Sequence, residues 1–167
     1  VVRTYVPLLS ESGVERVFWY SQVDEPGGVS GSFELGAPGR HAMRLTADLL
    51  TGSKPLEQVR GRDDRGAATD DDVYEYRFER DGELIIAIWK ARGGNVYREV
   101  SIDDLYGEEV RMYELASPSV SPDDGLILPV QEGEIVLPLN EHPIFLVGEY
   151  PSGWERFWLG LGGGLAE

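Results

Sequence analysis

Residues 73–90 read VYEYRFERDGELIIAIWK, and this stretch decides the fold. Tyr74, Tyr76 and Phe78 alternate with Glu75, Arg77 and Glu79, the period-2 pattern of a strand with two unlike faces. Asp81-Gly82 follows, a dipeptide suited to a two-residue hairpin turn with both central φ angles positive. Such a turn sets the pairing: residues whose numbers sum to 163 face each other. Phe78 is expected opposite Ile85, Tyr76 opposite Ala87 and Tyr74 opposite Trp89, with Arg80 and Glu83 beside the turn. The second strand, Leu84 to Trp89, is apolar on both faces and belongs in the middle of a sheet.

Downstream, further strands are expected at Val96 to Ile102, Val110 to Leu115, Leu126 to Val130, Ile135 to Leu139 and Ile144 to Gly148. Seven short strands joined by Gly, Pro, Asn and Asp turns point to a β-sandwich over 73–150. Upstream the pattern differs. Val1, Val2, Tyr5, Val6, Leu8 and Leu9 fit one face of a helix, although Pro7 lies within it. Val14 to Tyr20 ends in Phe18, Trp19 and Tyr20, an apolar run suited to a strand buried on both faces. Asp24 to Arg40 is a Gly- and Pro-rich loop. Ala42, Leu45, Thr46, Leu49 and Leu50 return to helical spacing, with Gly52 at the C-terminal stop. The organisation expected is therefore α+β: helix-strand-helix over 1–59, an acidic linker over 60–72, the sandwich, and an apolar tail over 151–167. In that tail Trp154, Phe157, Trp158 and Leu161 share one helical face, which suits docking on the chain's own domain, with contact to a membrane or a partner as the alternative.

Composition bounds the function. In 167 residues, 41% are hydrophobic and four are Trp, enough for a packed core. Thirty acidic residues against fifteen basic ones leave a net charge of −15, which repels nucleic acid and anionic membrane surfaces and leaves neutral ligands such as sugars open. With no Cys, disulfides and thiolate metal sites are ruled out. No signal-peptide pattern and no apolar run near 18 residues occurs, so this segment is expected neither to be targeted nor to span a membrane by itself; the compartment stays open. A chain that starts at Val1 rather than Met is expected to be a cleaved or trimmed product.

The stretch VVRTYVPLLSESGVERVFWYSQVDEPGG resembles the last helix-to-strand step of the (β/α)8 retaining glycosidases, especially the β-xylosidase-like ones. RHAMRLTADLLTGSKP looks like the eighth barrel helix. YRFERDGELIIAIWKARGG, VSIDDLYGEEVRMYEL and GEIVLPLNEHPIFLVGEY resemble the β-sandwich that follows such barrels. The resemblance implies that 1–59 is a barrel remnant made of helix 7, strand 8 and helix 8, and that the partner completing it is an upstream part of the same protein or another subunit. Retaining hydrolysis needs two carboxyl groups about 5 Å apart. In the resembled enzymes they stand at the ends of strands four and seven, upstream of this chain, which would itself be non-catalytic.

The same resemblance makes Trp19, at the mouth end of the last barrel strand, a candidate platform for a sugar ring; filling the barrel interior is the competing role. Tyr20, Gln22 and Asp24 are candidates for hydrogen bonds to sugar hydroxyls. Asp24 and Glu25, as neighbours on an extended segment, point to opposite sides and make a poor catalytic pair. Asp63-Asp64, Asp70 to Asp72, Asp103-Asp104 and Asp123-Asp124 suit solvated turns and lack the spacing of a calcium loop. His41 and His142 stand too far apart in sequence to suggest a metal pair, and no cofactor or metal is expected. The function implied is that of a C-terminal fragment of a carbohydrate-degrading enzyme. A non-catalytic structural or interaction subunit of a larger assembly is the alternative.

Overall fold

The computed structural model describes residues 2–11, 14, 37–61, 72–91, 96–115 and 125–151. Two helices, α1 (Val2–Ser10) and α2 (Ala37–Leu50), precede eight strands. These are β1 (Lys54–Arg60), β2 (Val73–Arg80), β3 (Glu83–Lys90), β4 (Arg98–Ile102), β5 (Tyr106–Glu114), β6 (Leu126–Pro129), β7 (Ile135–Leu139) and β8 (Ile144–Glu149). The strands form a six-stranded sheet in the order β1-β2-β3-β8-β5-β6 and a separate pair, β4-β7, antiparallel throughout.

The hairpin forms as its turn demands. Asp81 (φ 52°) and Gly82 (φ 84°) occupy the left-handed region, and Tyr74↔Trp89, Tyr76↔Ala87, Phe78↔Ile85 and Arg80↔Glu83 are paired. A Cβ at position 82 would meet nothing within 4 Å, so the need for glycine is purely one of backbone conformation. Gly82→Ala is accordingly expected to cost about 1–2 kcal/mol, the left-handed penalty for a residue with a Cβ. Denaturant unfolding checks this; a loss larger than that range would mean that the alanine is disturbing packing as well.

Strand β3 lies inside the sheet between β2 and β8, and Leu84 through Trp89 are all buried. Its alternate residues feed two cores. Ile85, Ala87 and Trp89 join Tyr76, Phe78, Tyr113 and Phe145 on one face, together with Val2 and Val6 of α1 and Leu45, Leu49 and Leu50 of α2. Leu84, Ile86 and Ile88 face the opposite way, against Val100 and Ile102 of β4 and Leu137 and Leu139 of β7. The arrangement is three-layered: helices, six-stranded sheet, two-stranded sheet. A strand apolar at every position is what a middle layer requires.

Helix α1 tolerates Pro7 because Val2 and Val6, four residues apart, dock on the sheet. A nine-residue helix is marginal alone, and Pro7 removes one of its hydrogen bonds. Arg3 adds a hydrogen bond to the Glu141 carbonyl. Helix α2 starts at Ala37, four residues before the expected His41, so 37–40 belong to the helix rather than the Gly-rich loop. It ends as expected before Gly52 (φ 78°), and Arg80 donates to its last-turn carbonyls at Asp48 (2.6 Å) and Leu49 (2.8 Å). A cation on the unsatisfied carbonyls of a helix C-terminus is favourable, and here it ties the helix to the hairpin.

Several features depart from the expectation. Strand β1, an edge strand, was not anticipated. Pro55 and two register shifts, at Pro55/Glu57 and Gln58/Arg60, erase the period-2 signature; Pro and bulges are tolerated where one side of a strand is unpaired. Arg60, expected to open the linker, is its last residue. The strand expected from Val96 begins at Arg98, and the one expected from Val110 begins at Tyr106. The expected strand Val14 to Tyr20 lies outside the described residues except for Val14, which is exposed. So do residues 62–71 of the linker and the tail from 152 onward. No helix among the described residues is long and apolar enough to cross a membrane.

Candidate functional site

The four residues singled out for sugar contact, Trp19, Tyr20, Gln22 and Asp24, lie outside the described residues. The described part carries three polar or concave features instead.

The first is a charge cluster between the two sheets. Glu75 and Arg77, two apart on β2, share the face that carries Val73, and Glu75 is fully buried. Arg77 donates from Nε (2.8 Å) and Nη2 (2.6 Å) to Glu75 Oε1, and Nη2 also reaches the Asp103 carbonyl at 2.9 Å. Glu75 Oε2 has no hydrogen-bond partner and faces Arg60 Nε at 3.3 Å, an ion-pair contact. Arg60 in turn donates to the Ser101 carbonyl at 2.7 Å. The cluster thus bridges β1, β2 and the β4 region, tying one sheet to the other.

Burial pushes the Glu75 carboxyl above its ordinary range; the Arg77 and Arg60 guanidiniums pull it back without cancelling the effect, and Asp103 adds to the rise. A raised folded-state pKa means that the native state holds this proton more tightly than the unfolded chain does. Glu75 therefore contributes most to stability below the ordinary glutamate pKa, and that contribution is lost as pH rises through the folded value. Relative to Glu75→Gln, the wild type is expected to gain stability on going from pH 7 toward pH 4. Parallel denaturation series at several pH values measure this difference. A wild-type advantage that shrinks on acidification would mean that the carboxyl is held low instead.

A carboxylate clamped by two arginines under a covering sheet has no open side for a substrate. Its chemistry is structural. The alternation of Glu and Arg with aromatics at 74–78 suggested a polar face but not its burial. The opposite charges two residues apart were the available signal; what encloses this face, β4 and Asp103, comes more than twenty residues later in the chain.

The second feature is aromatic. Tyr74, Trp89 and Tyr76 stack nearly parallel, with centroids 5.4 Å apart for Tyr74–Trp89 and 5.6 Å for Tyr76–Trp89. Trp89 and Tyr76 are buried, so the stack is core rather than a platform for a ring from solvent. The third is concave. A groove of about 790 Å³ lies between β6 and β7, and a smaller hollow of about 90 Å³ is lined in part by Tyr97, Glu114, Asn140 and His142. Asn140 Oδ1 accepts the His142 N–H at 2.7 Å, closing the turn in which His142 stands; His41 sits in α2. Among the described residues no cluster of three or more His, Cys, Asp or Glu is placed to hold a metal ion.

No protein-family model and no curated protein matches the chain. Solved structures do. A glycoside hydrolase family 30 endoxylanase from Clostridium papyrosolvens C71 is similar over 67% of this chain and 28% of its own, with a TM-score of 0.49 and 14% identity. An α-amylase from Anoxybacillus is similar over 67% and 22%, with a TM-score of 0.43 and 10% identity. A glycoside hydrolase family 30 subfamily 8 xylanase from Clostridium acetobutylicum is similar over 58% and 24%, with a TM-score of 0.37 and 8% identity. The chain thus spans less than a third of the length of each, and all three are glycoside hydrolases.

Proposed function

We propose that this chain is the C-terminal portion of a (β/α)8 retaining glycoside hydrolase of the β-xylosidase-like kind, and is itself non-catalytic. The order of its parts supports the reading. A helix, an apolar run ending in Phe18, Trp19 and Tyr20, and a second helix precede an antiparallel accessory module. In this reading the chain up to residue 53 completes a barrel whose catalytic carboxylates belong to polypeptide upstream, while 54–59 already belong to the six-stranded sheet as β1. Trp19 stacks on a sugar ring, and Tyr20, Gln22 and Asp24 bind its hydroxyls.

The two-step reaction needs a nucleophile and a proton donor about 5 Å apart. Glu75, the most enclosed carboxylate of the described residues, is committed to Arg77 and Arg60. The isolated chain is therefore expected to release no aglycone from an aryl glycoside above background. Turnover that disappears on changing one acidic residue of this chain would overturn the proposal. In an assembly with the upstream polypeptide, Trp19→Ala is expected to weaken oligosaccharide binding roughly two- to tenfold, the equivalent of an aromatic contact of about 0.5–1.5 kcal/mol. Unchanged affinity and assembly would remove the role assigned to Trp19.

One observation favours the alternative, a non-catalytic structural or interaction module. Val2, Val6, Leu45 and Leu49 spend the apolar faces of both helices on the six-stranded sheet. In a barrel those faces would cover barrel strands. The two readings separate on whether the chain alone, without upstream polypeptide, is a folded monomer with no sugar affinity.

A further inference from the structure

Strands β6 and β7 are joined by a tight turn, Glu132 (φ 53°) and Gly133 (φ 80°), closed by the Gln131↔Glu134 bridge. They then part company: β6 pairs with β5 in the large sheet, while β7 pairs with β4 in the small one. The parting opens the 790 Å³ groove, lined by Leu128, Pro129, Val136 and Leu137, with Glu132 and Glu134 beside them. Around it Leu126, Ile127 and Val136 are each more than half exposed. Strand β6 is also the last strand of its sheet, so among the described residues its outer backbone edge faces no neighbouring strand. An uncharged edge strand with exposed Leu and Ile is the kind of surface that folded chains cover.

We propose that the groove is the seat of this chain's own C-terminal segment, residues 154–161. Trp154, Phe157, Trp158 and Leu161 recur at i, i+3, i+4 and i+7, one apolar stripe on two helical turns. The segment starts in the right place. Tyr150, just past the end of β8, packs in the same apolar cluster as Leu128 and Val130. Only β5 separates β8 from β6, so the groove lies two strand spacings away, about 10 Å. Three extended residues, from Pro151 to Trp154, span about that distance. Glu155 and Arg156 leave the segment itself without net charge. A second copy of the chain is a poorer occupant, because each carries a net charge of −15 and like chains repel. This inference is independent of the glycosidase reading.

The chain has no Cys and four Trp, which makes the test direct. A nitroxide attached to Val136→Cys, at an exposed position in the groove, is expected to broaden the indole N–H signals of Trp154 and Trp158 strongly. Trp89, on the opposite face of the sheet, is expected to broaden far less. Unaffected Trp154 and Trp158 signals would overturn the proposal. So would equally strong broadening of isotope-labelled, nitroxide-free chain when it is mixed with unlabelled nitroxide-bearing chain, since the occupant would then be a second copy. Independently, a chain ending at Pro151 is expected to lose at least tenfold in amide-exchange protection over Leu126–Pro129; unchanged protection there would also overturn it. If the shortened chain does not fold, the nitroxide result on the full chain decides.

Discussion

Trp89→Ala is expected to lower the free energy of unfolding by about 3–5 kcal/mol, the usual cost of deleting a buried large aromatic. The indole stands between Tyr74, its cross-strand partner, and Tyr76, one register step away, in near-parallel stacks with both. It is 3% exposed, in the core that also holds Val2, Val6 and Leu45 of the helices. Its removal therefore opens a cavity at the seam between two layers, where neither can collapse without pulling away from the other. A domain of this size has about 5–15 kcal/mol in hand, so the loss is a large share of it. Trp89→Phe keeps most of the buried area and one ring face, and is expected to cost well under half as much. Urea unfolding of both variants is the check. An alanine variant within about 1 kcal/mol of the wild type would mean that the stack contributes little to holding the helices on the sheet.

Arg77→Ala is expected to be comparably damaging, again about 3–5 kcal/mol, for a different reason. It strands a fully buried carboxylate, removing both short contacts to Oε1 and the link to the Asp103 carbonyl. Arg60, facing the other oxygen at 3.3 Å, cannot replace them alone. Replacing both partners by apolar residues of similar volume, Glu75→Leu with Arg77→Met, is expected to recover most of the loss, because the desolvation cost of two charges vanishes with them. The double-mutant cycle measures the coupling directly. Additive losses would show that Glu75 and Arg77 act separately, as surface charges do, despite their burial.

The two substitutions probe levels of organisation that differed in how legible they were. The Tyr74–Trp89 pairing could be read from residues 73–90 alone. A two-residue turn with two positive φ angles leaves one register open, and a one-residue slip would send every aromatic to the wrong face. The burial of Glu75 and Arg77 could not be read that way. A charged face on a strand is solvated or enclosed according to what packs above it, and here that depends on β4 and Asp103, more than twenty residues further along the chain.

The same division runs through the rest of the chain. Gly52 as the stop of α2, β3 as an inner strand and Ile135–Leu139 as a strand are local matters of turn chemistry and periodicity, and the sequence by itself determined them. The candidate sugar-contact residues, Trp19, Tyr20, Gln22 and Asp24, were nominated only by the resemblance to (β/α)8 glycosidases, and they lie outside the described residues. The tertiary structure alone decided that Pro55 and two bulges still make an edge strand of 54–60, that α2 begins at Ala37, and that β4 and β7 form a sheet of their own. It also decided that β8, the last strand described, slots between β3 and β5, and that β6 is left at the border beside an open groove. The physical reason is that periodicity along a chain encodes which face of a segment is apolar, whereas the partner covering that face is selected by burial summed over contacts remote in sequence.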